Sequence, residues 1–104
     1  MTKKSLAVVS VEESLELSLD ETCHAYSVPL SFILEMIEHG IIEPRGASQE
    51  IWRFDTIHLH RIRTATHLHH DLEINMPGVA LILDMLDDMQ KMQARLDWFE
   101  KQFT

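Results

Sequence analysis

The feature that most constrains the fold is a long apolar repeat near the end of the chain. From position 82 onward, apolar residues recur at alternating steps of three and four. This heptad spacing places them on one stripe of a helix that is too long for so small a domain to cover. We call this stripe the seam; its members are Ile82, Met85, Met89, Met92, Leu96, Phe99 and Phe103. The seam predicts a coiled-coil interface of a homodimer, with burial inside the chain's own core as the alternative.

Capping residues place the last two helices. Asn75 is a good N-cap and Pro77 suits a first helical turn, so the last helix is expected to begin between them. Asp55 is an equally good N-cap for a preceding helix that runs to about Leu72. The spacing of its apolar residues predicts an inner face formed by Leu59, Ile62, Ala65, Leu68 and Leu72.

Two shorter helices are expected earlier in the chain. Early acidic residues favour a helix that begins near Leu19 and ends near Ser27. Pro29 can open the next helix, and Gly40 can end it because glycine readily adopts left-handed backbone. The tight turn between the two helices predicts a helix-turn-helix. The core stripe predicted for the second helix is Leu30, Ile33, Leu34 and Ile37.

A small wing is expected between the second and third helices. The apolar pair Ile41-Ile42 and the segment 51–54 predict two short strands around a loop from Arg45 to Gln49. The fold class predicted for the whole chain is mainly α: a winged helix-turn-helix with a long C-terminal coiled-coil helix.

The chain divides into three segments on these signals. Residues 1–14 form an N-terminal lead-in, residues 15–74 the winged helix-turn-helix, and residues 75–104 the C-terminal dimerisation helix. Within the lead-in, Leu6 to Val11 fits either a strand or irregular structure.

The charge of the chain favours a basic partner. Seventeen acids against nine bases give a formal net charge of −8, which repels a phosphate backbone, so direct DNA binding is not expected. The acids are uneven: the stretch 12–21 contains five of them and no base, and Asp84, Asp87 and Asp88 form a second group. A merely solvated face is the alternative interpretation of such runs.

The outward face of the second helix predicts a protein-binding surface. At 100° per residue, Phe32 and Met36 lie nearly opposite the predicted core stripe, flanked by Glu35 and His39, with Glu38 nearby. A base-reading helix would carry Arg, Asn or Gln there. Packing of Phe32 and Met36 on the chain's own N-terminal segment or last helix is the alternative.

The histidines do not predict a metal site. His58 and His60 point to different sides of a helix, and His67 with His70 or Asp71 supplies at most a pair on one face. Solvated or pH-responsive histidines are the better interpretation. No glycine-rich phosphate loop or nucleophile motif is present, so neither an enzyme nor a cofactor is expected.

The compartment expected for the chain is the cytoplasm. No apolar run is long enough to span a bilayer, so no membrane association is expected, and the start of the chain lacks a convincing signal peptide. Cys23 is the only cysteine, and its apolar neighbours favour an inert, half-buried thiol.

Several motifs together resemble a known family. The segments 19–22, 41–44 and 52–55, with the terminal coiled helix, are similar to a MerR-type winged helix-turn-helix. The motifs "HGIIEPR", "IWRFD" and "LHHDLEINMPGVALILDMLDDM" narrow the resemblance to the CbpM family of chaperone modulators. The resemblance runs from about Leu15 to Phe103.

The resemblance implies a non-enzymatic regulator that binds the J-domain of CbpA, a DnaJ-like co-chaperone, and inhibits its co-chaperone activity and DNA binding. A J-domain engages its Hsp70 partner through a basic helix, which an acidic surface with apolar anchors could occupy. Two candidate surfaces follow. One consists of Phe32, Glu35, Met36 and Glu38, and the other of Asp84, Asp87 and Asp88.

The rival hypothesis is a MerR-like DNA-binding transcription regulator. Such a protein would hold phosphates with arginines on the wing and the third helix, namely Arg45, Arg53, Arg61 and Arg63. The second helix reads "LSFILEMIE" and lacks any base, which favours the J-domain hypothesis. A histidine-based metal sensor is a third, weaker reading.

Overall fold

The computed structural model describes residues 15–103, which form four helices. They are α1 (Leu19–Tyr26), α2 (Leu30–Glu38), α3 (Thr56–Asp71) and α4 (Met76–Gln102), with a short 3-10 turn over Gln49–Ile51. The mainly α class is confirmed. The predicted alternatives for Leu6 to Val11 lie outside the described residues.

Local signals set the ends of α1 and α2. Ser18 caps α1 in a reciprocal arrangement: the Glu21 amide donates to the Ser18 hydroxyl, and the Ser18 amide donates to the Glu21 carboxylate at 2.8 Å. Ser27 ends α1 in left-handed backbone, and Gly40, with a φ of +74°, follows the end of α2. The helix-turn-helix boundaries therefore agree with the prediction.

The caps predicted for α3 and α4 are also confirmed. The Asp55 carboxylate accepts the amide of His58 at 3.0 Å, and the Asn75 side chain accepts the amide of Gly78 at 2.9 Å. Each bond satisfies an amide that has no partner within its helix. Pro77 lies in the first turn of α4, as expected.

The prediction of two wing strands is wrong. Among residues 15–103 only two isolated bridges form, one between Leu17 and Phe54 and one between Arg45 and Arg53. The backbone of Ile41 bonds to helices instead of to a strand: its amide donates to the Met36 carbonyl at 2.9 Å, and its carbonyl accepts a hydrogen bond from Nε of Arg61. The Arg45–Arg53 bridge closes a tight loop instead of a hairpin.

Gly46 explains how that loop stays tight. Its φ is +123°, and a Cβ at this position would lie 2.8 Å from the Ile51 carbonyl oxygen. Only glycine permits both this backbone conformation and this close approach.

The core lies where α2, α3 and the start of α4 meet. Leu59, Ile62 and Ala65 of α3 are buried as predicted, and Leu68 is partly buried. Leu72 is exposed, so its placement on the inner face is corrected: it follows the last residue of α3, where the chain turns away. The fully buried side chains include Phe54, Ile33, Met36, Ile41, Ile62, Val79 and Thr22.

Helix α4 consists of two unlike parts. Its first turns pack on α2 and α3 and bury Met76, Val79 and Leu83. Beyond residue 83, every residue through 103 is exposed apart from Asp87, and the molecule extends 49 Å along its longest axis. We call residues 15–83 the body and residues 84–103 the stalk.

Candidate functional site

The buried face of α2 differs from the predicted one. Phe32 and Met36, expected to face solvent, are 7% and 0% exposed, so that expectation is wrong. The Phe32 ring lies against the rings of His69 and His70, with centroids 5.2 and 5.6 Å away. These histidines near the end of α3 cover a side chain that the sequence pattern placed outside.

Two leucines take the place of those buried residues at the surface. Leu30 and Leu34 were assigned to the core stripe of α2, but Leu30 is 43% exposed and Leu34 is only partly buried. Glu35 and Glu38 are exposed, as predicted, and lie beside Leu34 on the same side of the helix. We call these four residues the α2 face; they combine aliphatic area with two carboxylates.

The acidic group on α4 is only partly available. Asp84 and Asp88 are exposed, whereas the carboxylate of Asp87 accepts a hydrogen bond from Nη1 of Arg61 at 2.7 Å. Nε of the same arginine donates to the Ile41 carbonyl at 2.6 Å. The Asp87 carboxylate therefore links α4 to Arg61 of α3 and is not free to contact a partner.

The seam is largely uncovered in a single chain. Ile82, at the body end, is partly buried, and the other six members are exposed, from 51% at Leu96 to 74% at Phe103. The rings of Phe99 and Phe103 contact each other with centroids 4.7 Å apart. A contiguous apolar stripe of this length on an exposed helix is typical of an interaction surface.

The histidines form pairwise contacts. His67 Nδ1 lies 2.6 Å from the Asp71 carboxylate, and His69 Nδ1 lies 2.8 Å from the Ile74 carbonyl oxygen. His58 Nδ1 accepts the Asp55 amide, completing the cap of α3. Across residues 15–103, no three histidine, cysteine or acidic side chains come together as a metal site would require.

The pKa of three side chains follows from their surroundings. The amide of His58, donating to the Asp55 carboxylate, lowers the pKa of Asp55. Burial raises the pKa of the Cys23 thiol, and the nearby Asp20 carboxylate raises it further. Burial likewise raises the pKa of Tyr26. Cys23 is partly buried, as predicted, and its raised pKa favours the protonated thiol.

Within residues 15–103, no helix has the length and apolar character needed to cross a membrane.

Comparison with known proteins assigns the chain to a family. Residues 17–101 match the family described as MerR HTH family regulatory protein. The chaperone modulatory protein CbpM of Coxiella burnetii (strain Dugway 5J108-111) is 41% identical over 101 residues, covering 97% of this chain and 95% of that protein. The chain belongs to the CbpM family. Proteins of the same name from Pseudomonas entomophila and Pseudomonas putida (strain GB-1) are 34% and 35% identical, each over 77% of this chain and 79% of the relative.

Family membership makes the composition of α2 informative. In a helix-turn-helix the second helix is the one that enters a major groove of DNA. In this CbpM family member the exposed side of α2 carries Glu35 and Glu38 and no base. Carboxylates at that place would repel phosphates.

The four arginines of the rival DNA-binding hypothesis differ in whether they are free to contact a phosphate. Arg45 lies 3.3 Å from a Glu16 carboxylate oxygen and 3.5 Å from one of Asp55. Arg61 is largely covered and engaged with Asp87. Arg53 and Arg63 are exposed and form no salt bridge with the other described residues. Two of the four bases are thus paired with the protein's own acids.

Sequence reasoning missed two structural contacts, for different reasons. The link from Arg61 to Asp87 joins residues 26 positions apart, and no local pattern predicts it. The packing of His69 and His70 against Phe32 had only a weak signal in the sequence. Both histidines fall near the end of an amphipathic helix, and the structure shows that this end contacts α2.

Proposed function

We propose that this chain is a non-enzymatic chaperone modulator that binds the J-domain of a CbpA-like co-chaperone and inhibits both its co-chaperone activity and its DNA binding. The names of its CbpM relatives support a chaperone modulator. The observation that carries the proposal is the α2 face, where two carboxylates border aliphatic side chains on the helix that a DNA-binding relative would present to DNA. The proposed partner places the chain in the cytoplasm.

The α2 face suits a basic helix as its ligand. Glu35 and Glu38 attract lysines and arginines during the approach, and the net charge of −8 adds a long-range field of the same sign. Leu30 and Leu34 then supply the apolar contact that holds the complex, a role that Phe32 and Met36 cannot fill because they are buried. A J-domain helix bound here is unavailable to Hsp70.

The acidic group on α4 is the alternative contact within the same function. Asp84 and Asp88 offer charge, but Asp87 is engaged with Arg61. The apolar residues that follow Asp84 and Asp88, Met85 and Met89, belong to the seam. We therefore place the J-domain on the α2 face and use α4 as the comparison in the test.

Calorimetric titration against a purified J-domain of a CbpA-like protein tests the proposal. The variant Glu35→Lys/Glu38→Lys is expected to weaken binding at least about tenfold, because it turns attraction into repulsion at the contact. Glu43→Lys/Glu73→Lys makes the same change of charge at two other exposed positions of the body and is expected to alter the affinity about threefold or less.

Other outcomes of the titration have distinct meanings. Loss of binding only on reversal of Asp84 and Asp88, the two aspartates of the group that are not engaged with Arg61, would move the contact to α4. Full affinity after both reversals would contradict an electrostatic mechanism, and no binding by the unmodified chain would overturn the proposed function. A specific, salt-sensitive complex with DNA fragments would favour the transcription regulator instead.

We also propose that the chain is a homodimer through the seam. The exposed seam residues offer one continuous apolar stripe, and a second copy presents the same stripe in return. Sedimentation equilibrium tests this: we expect a dimer at micromolar concentration, and Met89→Lys is expected to give a folded monomer. A monomeric unmodified chain at about 100 µM, a concentration at which even an affinity weaker than micromolar would register, would refute the dimer.

A further inference from the structure

The methionines of the described residues fall into two groups that differ in exposure. Met36 and Met76 belong to the core of the body and are 0% and 2% exposed. Met85, Met89 and Met92 belong to the seam and are 54%, 61% and 61% exposed in a single chain. We call these three residues the seam methionines. A solute dissolved in water can contact their side chains, whereas the packing of the body keeps it from the other two.

The seam methionines occupy consecutive positions of the seam, between Ile82 at the body end and Leu96 towards the tip. In the proposed dimer they pack against the other copy, so three thioethers from each copy lie in the interface. Leucine would supply a similar apolar volume at such positions. What methionine adds is a sulfur atom that an oxidant can modify, at three positions where pairing depends on apolar contact.

The reaction at each thioether requires a peroxide as the oxidant. A sulfur lone pair attacks one peroxide oxygen, so an S–O bond forms while the O–O bond breaks. The sulfur loses two electrons, and the peroxide gains them. With hydrogen peroxide, the oxygen bound to sulfur gives its proton to the departing hydroxide, which leaves as water. The product is methionine sulfoxide.

A sulfoxide weakens the contact that the seam can make. Its oxygen accepts hydrogen bonds from water, and these bonds are lost when a second copy covers the seam. Burial of such a group without a new donor weakens association about tenfold or more. In a homodimer the modification occurs at the same positions of both copies, so each position contributes twice to the loss.

Oxidation in the stalk leaves the core of the body intact. Among the described residues, the last one of α4 that belongs to the core is Leu83, and the seam methionines follow it along the helix. A loss of pairing can therefore be measured on a folded body.

We propose that the seam methionines are a modification site, at which oxidation to methionine sulfoxide by a peroxide prevents two copies from pairing. This inference rests on the proposed seam dimer and assigns it a chemical control. Pairing covers the same side chains, so the oxidant acts on the dissociated chain and the dimer is protected.

Sedimentation equilibrium of the whole chain before and after treatment with hydrogen peroxide tests the proposal. Oxidation is expected to raise the dimer Kd at least about a hundredfold, since three polar groups in each copy replace apolar contacts. Incubation of the oxidised chain with methionine sulfoxide reductases for both epimers and a thiol reductant is expected to return the Kd to within about threefold of its first value.

The variant Met85→Leu/Met89→Leu/Met92→Leu is the matched control. It keeps an apolar side chain of similar volume at each position, and its own Kd before oxidation is the reference for its Kd afterwards. The same peroxide treatment is expected to change that Kd about twofold or less, because no sulfur remains in the seam. The variant retains Cys23 and Trp98, so an effect of oxidising either side chain would show as weakened pairing of the variant.

Peptide mass spectrometry locates the sulfoxides and measures how fast they form. In dilute, monomeric protein the seam methionines are expected to oxidise at least about tenfold faster than Met36 and Met76, which the core covers. At protein concentrations well above the dimer Kd, their oxidation is expected to slow at least about fivefold, because pairing covers them. Circular dichroism of the oxidised chain checks that the body stays folded.

The outcomes separate this inference from the dimer on which it rests. An unmodified chain that sediments as a monomer before oxidation overturns both. A dimer whose Kd is unchanged after the seam methionines are oxidised overturns the modification site alone, as does an equal loss of pairing by the leucine variant. Loss of pairing that the reductases do not reverse would assign the effect to damage elsewhere in the chain and would likewise overturn the site.

Discussion

The two ends of helix α4 carry different apolar stripes, and the two stripes lie in opposite environments: one is buried in the body and the other, the seam, is exposed. In the body, Val79 and Leu83 are buried against α2 and α3. In the stalk, Met89 and Leu96 continue the same helix with more than half of their side-chain surface exposed. Periodicity therefore shows which residues share a face of a helix, whereas burial depends on whether another element packs against that face. The body is stabilised by its own core, whereas no other described element of the chain covers the seam in the stalk.

The largest effect on folding is expected in the core of the body. Phe54→Ala removes a fully buried ring that also contacts Trp52 edge to face, so it should lower the free energy of unfolding by about 3–5 kcal/mol. Urea unfolding monitored by circular dichroism measures the change. A loss below about 1 kcal/mol would show that the body has no well-packed core at this position.

The next largest effect is expected where the body and α4 are joined. Arg61→Met removes the hydrogen bonds to the Ile41 carbonyl and the Asp87 carboxylate and should lower the free energy of unfolding by about 1–3 kcal/mol. Arg63→Met, at an exposed position of the same helix, is the control and should cost less than about 0.5 kcal/mol. Equal effects of the two changes would mean that the Arg61 contacts add nothing to stability.

A smaller effect is expected from the cap of α3, and it depends on pH. Because the pKa of Asp55 is lowered in the folded state, its carboxylate stabilises the fold above the unfolded pKa of about 4, and this contribution is lost as the pH falls towards the folded pKa. Asp55→Asn keeps a capping side chain that does not titrate. The unmodified chain should therefore lose more stability between pH 7 and pH 2.5 than this variant, as measured by urea unfolding at each pH. Identical losses would contradict the assignment.

The smallest effect on folding is expected in the stalk. Leu96→Gln changes an exposed seam residue and should alter the free energy of unfolding by less than about 0.5 kcal/mol when measured on dilute, monomeric protein. At concentrations that favour the proposed dimer, the same change should lower the unfolding midpoint, since a dimer that binds only the folded chain stabilises it. A large loss of unfolding free energy in the dilute sample would show that the stalk contributes to the stability of a single chain, which would contradict the distinction between body and stalk.

The helix-turn-helix could be predicted from the sequence because its signals are local. Gly40, Asp55 and Asn75 each act on backbone groups within a few residues, and each occupies the expected place. The wing strands could not be predicted correctly, because β-branched residues at positions 41 and 42 fit a strand as well as they fit a buried connection.

The candidate site shows the same limit more sharply. Six of the nine residues of α2 are apolar, so several faces of the helix fit a core equally well. Glu35 and Glu38 were placed correctly at the surface because a charged side chain is costly to bury. Which apolar residues lie beside them depended on where α3 packs.

The sequence alone was enough to derive the helices, their caps, the acidic charge, the seam and the resemblance to the CbpM family, since each is encoded over a few residues or in composition. The packing of the helices was needed to show that Phe32 and Met36 are buried, that Leu30 is exposed, and that Arg61 binds Asp87 of α4. The physical reason is that caps and periodicity act within one helix, whereas the choice of a buried face depends on contacts between helices that are far apart in the chain.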